Sequence, residues 1–191
     1  MALHVESWRT AYAGIMPDGF LNGPLGDDRL ALWRERLDPP VRGTGLFVGH
    51  DDEGKLLGFA YLLPSPDGRI LLDNLHVRPG STGSGAGSRL LRHGLAWAAD
   101  EHPGREVYLE VLRANTRAIG FYERHGARRT DERMCRFQQG FELPELEYAW
   151  VNRPSGDARR ERTAGSSGEG VARPGAQDQQ GFGAGDVAGP A

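Results

Sequence analysis

Residues 71–91 read LLDNLHVRPGSTGSGAGSRLL and combine a strand, a glycine-rich loop and the beginning of a helix. The run Ile70–Val77 is mostly apolar and is bounded by Gly68 and Pro79, which predicts a strand buried on both faces. After the loop, residues at helical spacing predict a helix over 87–101, with one face formed by Leu90, Leu91, Gly94, Leu95 and Ala98.

The loop at 82–88 reads TGSGAGS, with a glycine at every second position. Because glycine has no Cβ, successive backbone N–H groups of such a loop approach an anion closely. The helix that follows adds unpaired N–H groups and the positive end of its dipole. A phosphate group is therefore the expected ligand of this loop.

Three other interpretations of the loop fit its spacing less well. A Walker loop would end in Gly-Lys-Ser/Thr, and no lysine follows Gly87. The fingerprint of a nucleotide-dependent oxidoreductase would carry a glycine in place of Ser88 and would begin nearer to the end of the strand. A strand-to-helix turn that needs glycine for its conformation alone remains the simplest alternative.

The strand and loop resemble the pyrophosphate loop of the GNAT N-acetyltransferase superfamily, whose strand ends Leu-x-Val-x-Pro and whose loop reads Gln/Arg-x-x-Gly-x-Gly/Ala. Leu75, Val77 and Pro79 match the strand end, and residues 83–87 match the loop. Thr82 stands where that superfamily has Gln or Arg, which removes one side-chain contact.

A second segment, about thirty residues after the loop, resembles the Asn-x-x-Ala-x-x-Phe-Tyr-x-x-x-Gly block of the same superfamily. It comprises Asn115, Ala118, Phe121, Tyr122, Glu123, Arg124 and Gly126. The resemblance covers roughly residues 1–151. It implies an α/β (mixed α+β) fold with a central mixed, mostly antiparallel sheet flanked by helices. It also implies an acyltransferase that moves an acetyl group from acetyl-CoA to a primary amine of a small molecule or peptide by direct nucleophilic attack.

The resemblance also implies the residues that hold the coenzyme. They are Leu75, His76, Val77, Thr82, Gly83, Ser84, Gly85, Ala86, Gly87, Ser88, Arg89, Asn115 and Tyr122. Tyr122 matches the tyrosine that protonates the departing thiolate, and a phenol suits this role because its usual pKa, about 10, is close to that of a thiol.

The general base has several candidates. The resemblance places it four or six residues before Val77, at Asp73 or Leu71, and only Asp73 titrates. His76 titrates in a better range, but strand alternation predicts that it faces away from Asp73. Glu110 on the next strand and a relay of water molecules are the remaining alternatives.

The other elements follow from periodicity and from turn residues. Helices are predicted over 3–13 and from about 27 to 38, the second with Leu30, Trp33 and Leu37 on one face and a cap at Asp27 or Asp28. Asn115 is predicted to cap the helix that ends at Gly126. The remaining strands are predicted at 46–50, 56–63, 106–112, 129–137 and 145–151.

Composition excludes several classes of protein. The 191 residues carry a formal net charge of −3 without a sustained basic stripe, which argues against binding to nucleic acid. The only cysteine, Cys135, forms no intrachain disulfide, and no apolar run approaches the length of a membrane span or a signal peptide. The six histidines are scattered, so no metal site is expected. A cytoplasmic protein without membrane contact is predicted.

The composition changes near residue 153. Residues 1–153 are predicted to form the acetyltransferase domain, and residues 154–191, rich in glycine and alanine, are predicted to be disordered. Members of the superfamily begin with a strand before the first helix, whereas Met1 stands almost at the start of that helix here. The first edge strand is therefore expected to be absent, or the start codon lies upstream, and a homodimer or docking of the C-terminal segment would cover the exposed edge. A non-catalytic acyl-CoA-binding or regulatory domain is the rival function.

Overall fold

The computed structural model describes residues 1–81 and 83–150. Thr82 and residues 151–191 lie outside the described residues, and with them the predicted contact of Thr82 and the predicted C-terminal tail. Within the described chain, no helix is both long and apolar enough to cross a membrane.

Five helices and six strands are described, and most bounds lie within three residues of their prediction. They are α1 Ala2–Ala11, α2 Asp18–Leu21, α3 Leu25–Leu37, β1 Gly45–His50, β2 Leu56–Pro64, β3 Ile70–Val77, α4 Ala86–Glu101, β4 Val107–Leu112, α5 Thr116–Arg124, β5 Arg128–Arg136 and β6 Glu142–Trp150.

The strands form one six-stranded sheet in the order β1-β2-β3-β4-β6-β5. Every neighbouring pair is antiparallel except β3 and β4, which are parallel and joined by the crossover helix α4. The prediction of a mixed, mostly antiparallel sheet flanked by helices is confirmed.

Helices cover both faces of the sheet. On one face, α4 and α5 pack against the apolar side chains of β2, β3, β4 and β6, which form the largest core cluster. On the other face, α1 and α3 cover two smaller clusters that are rich in aromatic residues. The central strands β3 and β4 are therefore buried on both faces, as the mostly apolar run of β3 predicts for that strand.

The predicted face of the second helix was wrong in part. Leu25, Arg29, Leu32 and Trp33 are the buried residues of α3, whereas Leu37 is 44% exposed. The buried charge is possible because the Arg29 guanidinium lies over the Trp8 ring at 4.4 Å and pairs with a neighbouring carboxylate.

The start of the second helix also differs from its prediction. α3 begins after Pro24, and its N-cap has no side-chain hydrogen bond. Asp27 and Asp28 instead lie in the first turn, where their charges favour the positive end of the helix dipole. The short helix α2 lies between the two predicted helices, where no helix was predicted.

β1 lies at one edge of the sheet and pairs with β2 alone. Two of its side chains, Leu46 and Val48, are 42% and 54% exposed. Among the described residues no strand precedes α1, and none pairs with the outer edge of β1. Pairing of this edge with a second copy of the chain stays a prediction.

Candidate active site

The loop between β3 and α4 enters the helix through two glycines with left-handed backbone conformations. Gly83 and Gly85 have φ values of 86° and 77°, which residues with a Cβ rarely adopt. A Cβ at either position would meet no neighbour within 4 Å, so conformation and not crowding requires glycine here. Gly85 is the N-cap of the 16-residue helix α4, whose dipole therefore begins at the loop.

Arg78 fixes the start of this loop on the neighbouring strand. Its Nε donates to the carbonyl of Leu56 at 2.8 Å, and its backbone N–H donates to the carbonyl of Leu57 at 2.7 Å. The N–H of Ser81 donates to the carbonyl of Arg78 at 3.0 Å, so the chain turns directly after β3. These contacts hold the loop at the C-terminal end of the central strand.

β3 and β4 form a ladder over a short stretch only. It comprises the pairs Ile70 with Val107 and Leu71 with Tyr108, whereas β2 stays paired with β3 as far as Val77. In the described residues, the C-terminal halves of β3 and β4 therefore share no ladder. The region between these halves is named the β3–β4 gap, and the backbone of residues 75–77 borders it.

A β-bulge interrupts β3 just before the gap. Asn74 pairs with Tyr61 and Leu72 pairs with Leu62, so Asp73 is an extra residue in the register. The bulge places Asp73 and His76 on the same face: the Asp73 carboxylate pairs with Arg36 of α3, and His76 Nδ1 lies 3.0 Å from Ser7 Oγ of α1. The prediction that the two side chains face opposite sides was wrong, because simple alternation does not hold across a bulge.

The hydroxyl of Tyr122 on α5 has no hydrogen-bond partner among the described residues. The side chain is fully buried, and its ring packs edge-to-face on Phe121 and Trp150. Burial, with a further contribution from Tyr12, raises the pKa of Tyr122 well above its usual value. Tyr122 belongs to the core cluster on one face of the sheet and Tyr12 to the cluster on the other, so groups on both faces affect the pKa of Tyr122. The phenol therefore stays protonated near neutral pH.

A cavity of about 700 Å³ lies on the face of the sheet that α3 covers. Residues of α3, β2, β3, β4 and β5 line it, and its polar side chains include Asp73, Glu110, Arg36 and Arg133. Asp73 and Glu110 come from the two strands that border the gap. Two buried carboxylates therefore lie in one cavity beside the place where β3 and β4 part.

Asp73 is held by a buried cation. Arg36 Nη1 lies 2.7 Å from Asp73 Oδ2, and the guanidinium stacks over the rings of Tyr61 and Trp33 at 5.1 and 5.5 Å. The amide of Asn74 also donates to Asp73. Both contacts are made to Oδ2 of Asp73, so this carboxylate already has a cationic partner and an amide donor within the fold.

Glu110 has a different environment. Arg133 bridges it to Glu145, whose Oε2 is 3.0 Å from the Arg133 guanidinium. Burial raises the pKa of Glu110 above its usual value, although the cation of Arg133 opposes that rise. The Arg133 side chain is 44% exposed, so it covers Glu110 from the open side of the cavity.

Cys135 lies in the wall of the same cavity. Burial, together with the carboxylates of Glu145 and Glu110, raises the pKa of Cys135 to about 12. The thiol therefore stays protonated near neutral pH, and only the thiolate is a strong nucleophile. Among the described residues, no group of histidine, cysteine and carboxylate side chains is arranged to hold a metal ion.

Comparison with known proteins identifies the family. Residues 6–127 match the profile of the acetyltransferase (GNAT) family. The chain belongs to this family. A probable N-acetyltransferase of Mycobacterium tuberculosis is 32% identical to it over 128 residues, which cover 64% of this chain and 69% of that relative. The streptothricin acetyltransferase of Streptomyces lavendulae is 36% identical over 81 residues, 42% of each chain.

Solved structures agree on the fold. A variant of the spermidine N-acetyltransferase from Vibrio cholerae superposes with a TM-score of 0.53 at 18% identity, over 66% of this chain and 78% of that chain. The GNAT resemblance predicted from the loop and from the Asn115–Gly126 block is confirmed, as is the fold class.

The residues predicted to hold the coenzyme of this GNAT domain fall into three groups. Those of the loop and of the first turn of α4 lie together, with Arg89 exposed to solvent. Residues 75–77 border the β3–β4 gap. Asn115 caps α5 through its Oδ1, which accepts the N–H of Ala118 at 3.2 Å. Thr82 lies outside the described residues.

Four residues of this GNAT site could not be identified from a sequence motif. Arg36 and Arg133 reach their carboxylates from elements far away in the chain, and Glu145 and His125 meet their partners in the same way. Ion pairs between residues 36 and 73 or 110 and 133 belong to no local motif. The only available indication was that buried carboxylates need partners.

Proposed function

We propose that this GNAT protein transfers the acetyl group of acetyl-CoA to a primary amine of a small molecule or peptide by direct attack of the amine on the thioester. The residues present fit this coenzyme. The loop and the α4 N-terminus suit a pyrophosphate, and the backbone of residues 75–77 has no ladder on the β4 side within the described chain. Acetyl-CoA supplies the activated acyl group.

The buried hydroxyl of Tyr122 carries the proposal. An unpartnered buried hydroxyl destabilises a fold and therefore points to a ligand atom as its partner. A phenol held protonated beside the β3–β4 gap suits the donation of a proton to the sulfur that leaves the thioester. A backbone N–H of residues 75–77 would stabilise the oxyanion.

The Tyr122→Phe variant tests this proposal, because it keeps the ring and removes only the hydroxyl. Thiol release from acetyl-CoA is measured against a panel of primary amines. We expect turnover to fall by about 10²–10⁴-fold while affinity for the coenzyme is retained. Tyr148→Phe is the matched control, since the Tyr148 ring also belongs to the core cluster but its hydroxyl donates to Glu123.

An unchanged turnover of Tyr122→Phe would contradict the proposed role. Slow product release in the wild type would conceal a slower chemical step, so the comparison is made under single-turnover conditions with preformed complex. A Tyr148→Phe variant with the same loss would show that any buried hydroxyl matters equally, and would contradict the assignment as well.

Glu110 is the proton acceptor that the geometry favours over Asp73. An amine attacks only as the free base, so an ammonium must lose a proton before the N–C bond forms. Arg36 and Asn74 occupy Asp73, whereas the raised pKa of Glu110 brings that carboxyl nearer to the operating pH. For this to happen, Arg133 must either move away from the Glu110 carboxylate or leave one of its oxygens to the amine of the acceptor.

The cavity beside these carboxylates suits a small amine. Its size, about 700 Å³, fits a small molecule or the end of a peptide, and its lining presents both carboxylates and guanidinium groups. The names of the relatives that act on streptothricin and spermidine support acceptors with amino groups.

A non-catalytic acyl-CoA-binding domain is the second candidate, favoured by the ion pairs that occupy both cavity carboxylates. Calorimetry with acetyl-CoA, followed by the amine panel, separates the two candidates. Binding without release of thiol for any amine would support the non-catalytic function.

A further inference from the structure

His125 links the end of α5 to the first turn of α4. It is the C-cap of α5; its Nδ1 is 2.8 Å from the carbonyl oxygen of Phe121, and its Nε2 is 3.0 Å from Ser88 Oγ. Its ring lies tilted against that of Phe121, with 4.2 Å between the ring centroids, and its carbonyl accepts the indole N–H of Trp150 at 2.9 Å. Contacts to α4 and α5 therefore fix the orientation of the imidazole, and the contact to β6 holds the backbone of His125.

The contact with Phe121 determines where the ring carries its hydrogen. A carbonyl oxygen only accepts, so Nδ1 must donate to it. In the neutral ring, Nε2 then has no hydrogen and accepts the hydroxyl hydrogen of Ser88. In the imidazolium both nitrogens carry hydrogen, so Nε2 donates to Ser88 Oγ and the hydroxyl hydrogen becomes available to another acceptor.

Ser88 is the third residue of α4, next to the glycine loop. While His125 is neutral, the only hydroxyl hydrogen of Ser88 is used, and its oxygen offers lone pairs that repel a phosphate oxygen. When His125 is cationic, Ser88 can donate to that oxygen, and a positive charge lies behind it. The state of His125 thus decides whether this turn attracts an anion through a side chain or only through its backbone.

We propose that His125 positions the Ser88 hydroxyl as a donor to the pyrophosphate of the coenzyme and takes up one proton as the coenzyme binds. The inference rests on the proposed function, because it assumes a coenzyme at the loop. The proton comes from the solvent and adds to Nε2, while the hydroxyl hydrogen of Ser88 turns from Nε2 to a phosphate oxygen. No other bond changes.

The surrounding charges leave the coenzyme as the source of negative charge. Arg89 and Arg92 on α4 and Arg124 on α5 are exposed cations near this site, and Glu123 is the carboxylate of α5. Glu123 accepts a hydrogen bond from Tyr148 of β6, whereas the β6 residues Glu145 and Glu147 pair with Arg133 and Arg69. A bound diphosphate, and not a carboxylate of the protein, therefore stabilises an imidazolium at position 125.

Calorimetry with 3′-dephospho-CoA tests this inference. This probe keeps the pyrophosphate but lacks the phosphate monoester, whose second pKa, about 6, would add a proton exchange of its own. Titrations at pH 7 in buffers of different ionisation enthalpy report the protons taken up on binding. We expect a fractional uptake, and an affinity that falls by about three- to tenfold from pH 6 to pH 8.

Three variants locate the proton. In His125→Gln, the glutamine can accept a hydrogen bond from Ser88 but does not titrate. Both the proton uptake and the pH dependence of the affinity should therefore disappear. Ser88→Ala should bind about tenfold more weakly at pH 6 and lose most of the pH dependence. The double variant should be no weaker than the weaker single variant. His93→Gln, an exposed histidine of α4, is the control and should keep the uptake.

The absence of proton uptake in the wild type, or the same uptake in His125→Gln, would overturn the inference. Weaker binding in the variants with unchanged pH dependence would indicate a purely structural role and would overturn it too. If His125→Gln does not fold, the pH dependence of binding to Ser88→Ala provides the test of the inference. A wild-type protein that binds neither dephospho-CoA nor CoA would instead overturn the proposed function, and the inference with it.

Discussion

Two carboxylates face one cavity, and their ion pairs predict different roles for them. Asp73 is paired with Arg36, which is nearly buried, whereas Glu110 is paired with Arg133, which is half exposed. A cation that reaches solvent can move without leaving a buried charge behind, so Glu110 is the carboxylate that an acceptor can approach.

We expect Glu110→Gln to lower turnover by about 10²–10³-fold and to remove the acidic limb of the pH profile. In the wild type, kcat/KM should fall as the pH drops through the raised pKa of Glu110. Asp73→Asn is the matched control: it should keep that limb but lower thermal stability, because Arg36 loses its carboxylate partner. An acidic limb that persists in Glu110→Gln and disappears in Asp73→Asn would reverse the assignment.

The same substitution makes a separate prediction about stability. Burial raises the pKa of Glu110 in the folded state above the ordinary value of 4.5. The protonated carboxyl of Glu110 therefore stabilises the folded state at a pH below the pKa of the unfolded chain. This stabilisation is lost as the pH rises through the higher pKa of the folded protein. Glutamine does not ionise, so its contribution does not change with pH. The melting temperature of Glu110→Gln minus that of the wild type should therefore be larger at pH 7 than at pH 4. A larger gain at pH 4 would contradict the sign of this pKa shift.

At the scale of elements, the packing of β2 against β3 depends on one glycine. A Cβ at Gly58 would lie 2.4 Å from the carbonyl oxygen of His76 and 3.1 Å from Leu90. Gly26 in α3 offers the opposite case, since a Cβ there meets no atom within 4 Å. The backbone beside the β3–β4 gap is therefore sensitive to added volume, and the second helix is not.

We expect Gly58→Ala to destabilise the protein by about 1–3 kcal/mol, because β2 must move away from β3. Gly26→Ala should stabilise it by about 0.4–1 kcal/mol, through helix propensity and a less flexible unfolded chain. Urea denaturation measures both changes. Equal stability of the two variants would show that the β3 backbone at His76 can move away from an added Cβ without loss of folding free energy.

The bulge in β3 marks the limit of prediction from sequence at this scale. Strand bounds followed from apolar runs and turn residues, and the cap at Asn115 followed from its residue type. The extra residue at Asp73 did not, because a bulge is set by how β2 and β3 pair and not by either strand alone. One inserted residue reverses the face of every side chain before it relative to those after it, and for that reason His76 was misplaced.

At the scale of the whole molecule, the glycine loop and Tyr122 could be singled out from the sequence, because each lies in a continuous motif. The cavity is assembled from five elements, and its charges pair residues that lie between 12 and more than 30 positions apart, so no local pattern encodes it. Arg29 shows the same limit, since its buried position depends on the ring of Trp8 in another helix. The sequence therefore identifies the candidate coenzyme loop more readily than the cavity that is proposed for the acceptor.

The C-terminal boundary of the domain gives the last prediction. Trp150 ends β6, its indole N–H donates to the carbonyl of His125, and its ring packs on Tyr122. The segment 155–191 contains few large apolar residues, namely Val171, Phe182 and Val187. Too little apolar surface is present there to offset an ordering entropy of about 1–2 kcal/mol per residue.

A chain that ends at residue 154 should therefore keep the melting temperature and the coenzyme affinity of the full-length protein. A chain that ends at residue 149 should lose about 1–3 kcal/mol of stability, because it lacks the Trp150 ring. It should also bind coenzyme more weakly, since Trp150 supports both His125 and Tyr122. Thermal denaturation and calorimetry compare the two with the full chain. A drop of several degrees already at 154 would mean that the C-terminal segment packs on the domain, and the open edge of β1 would be the first place to look for it.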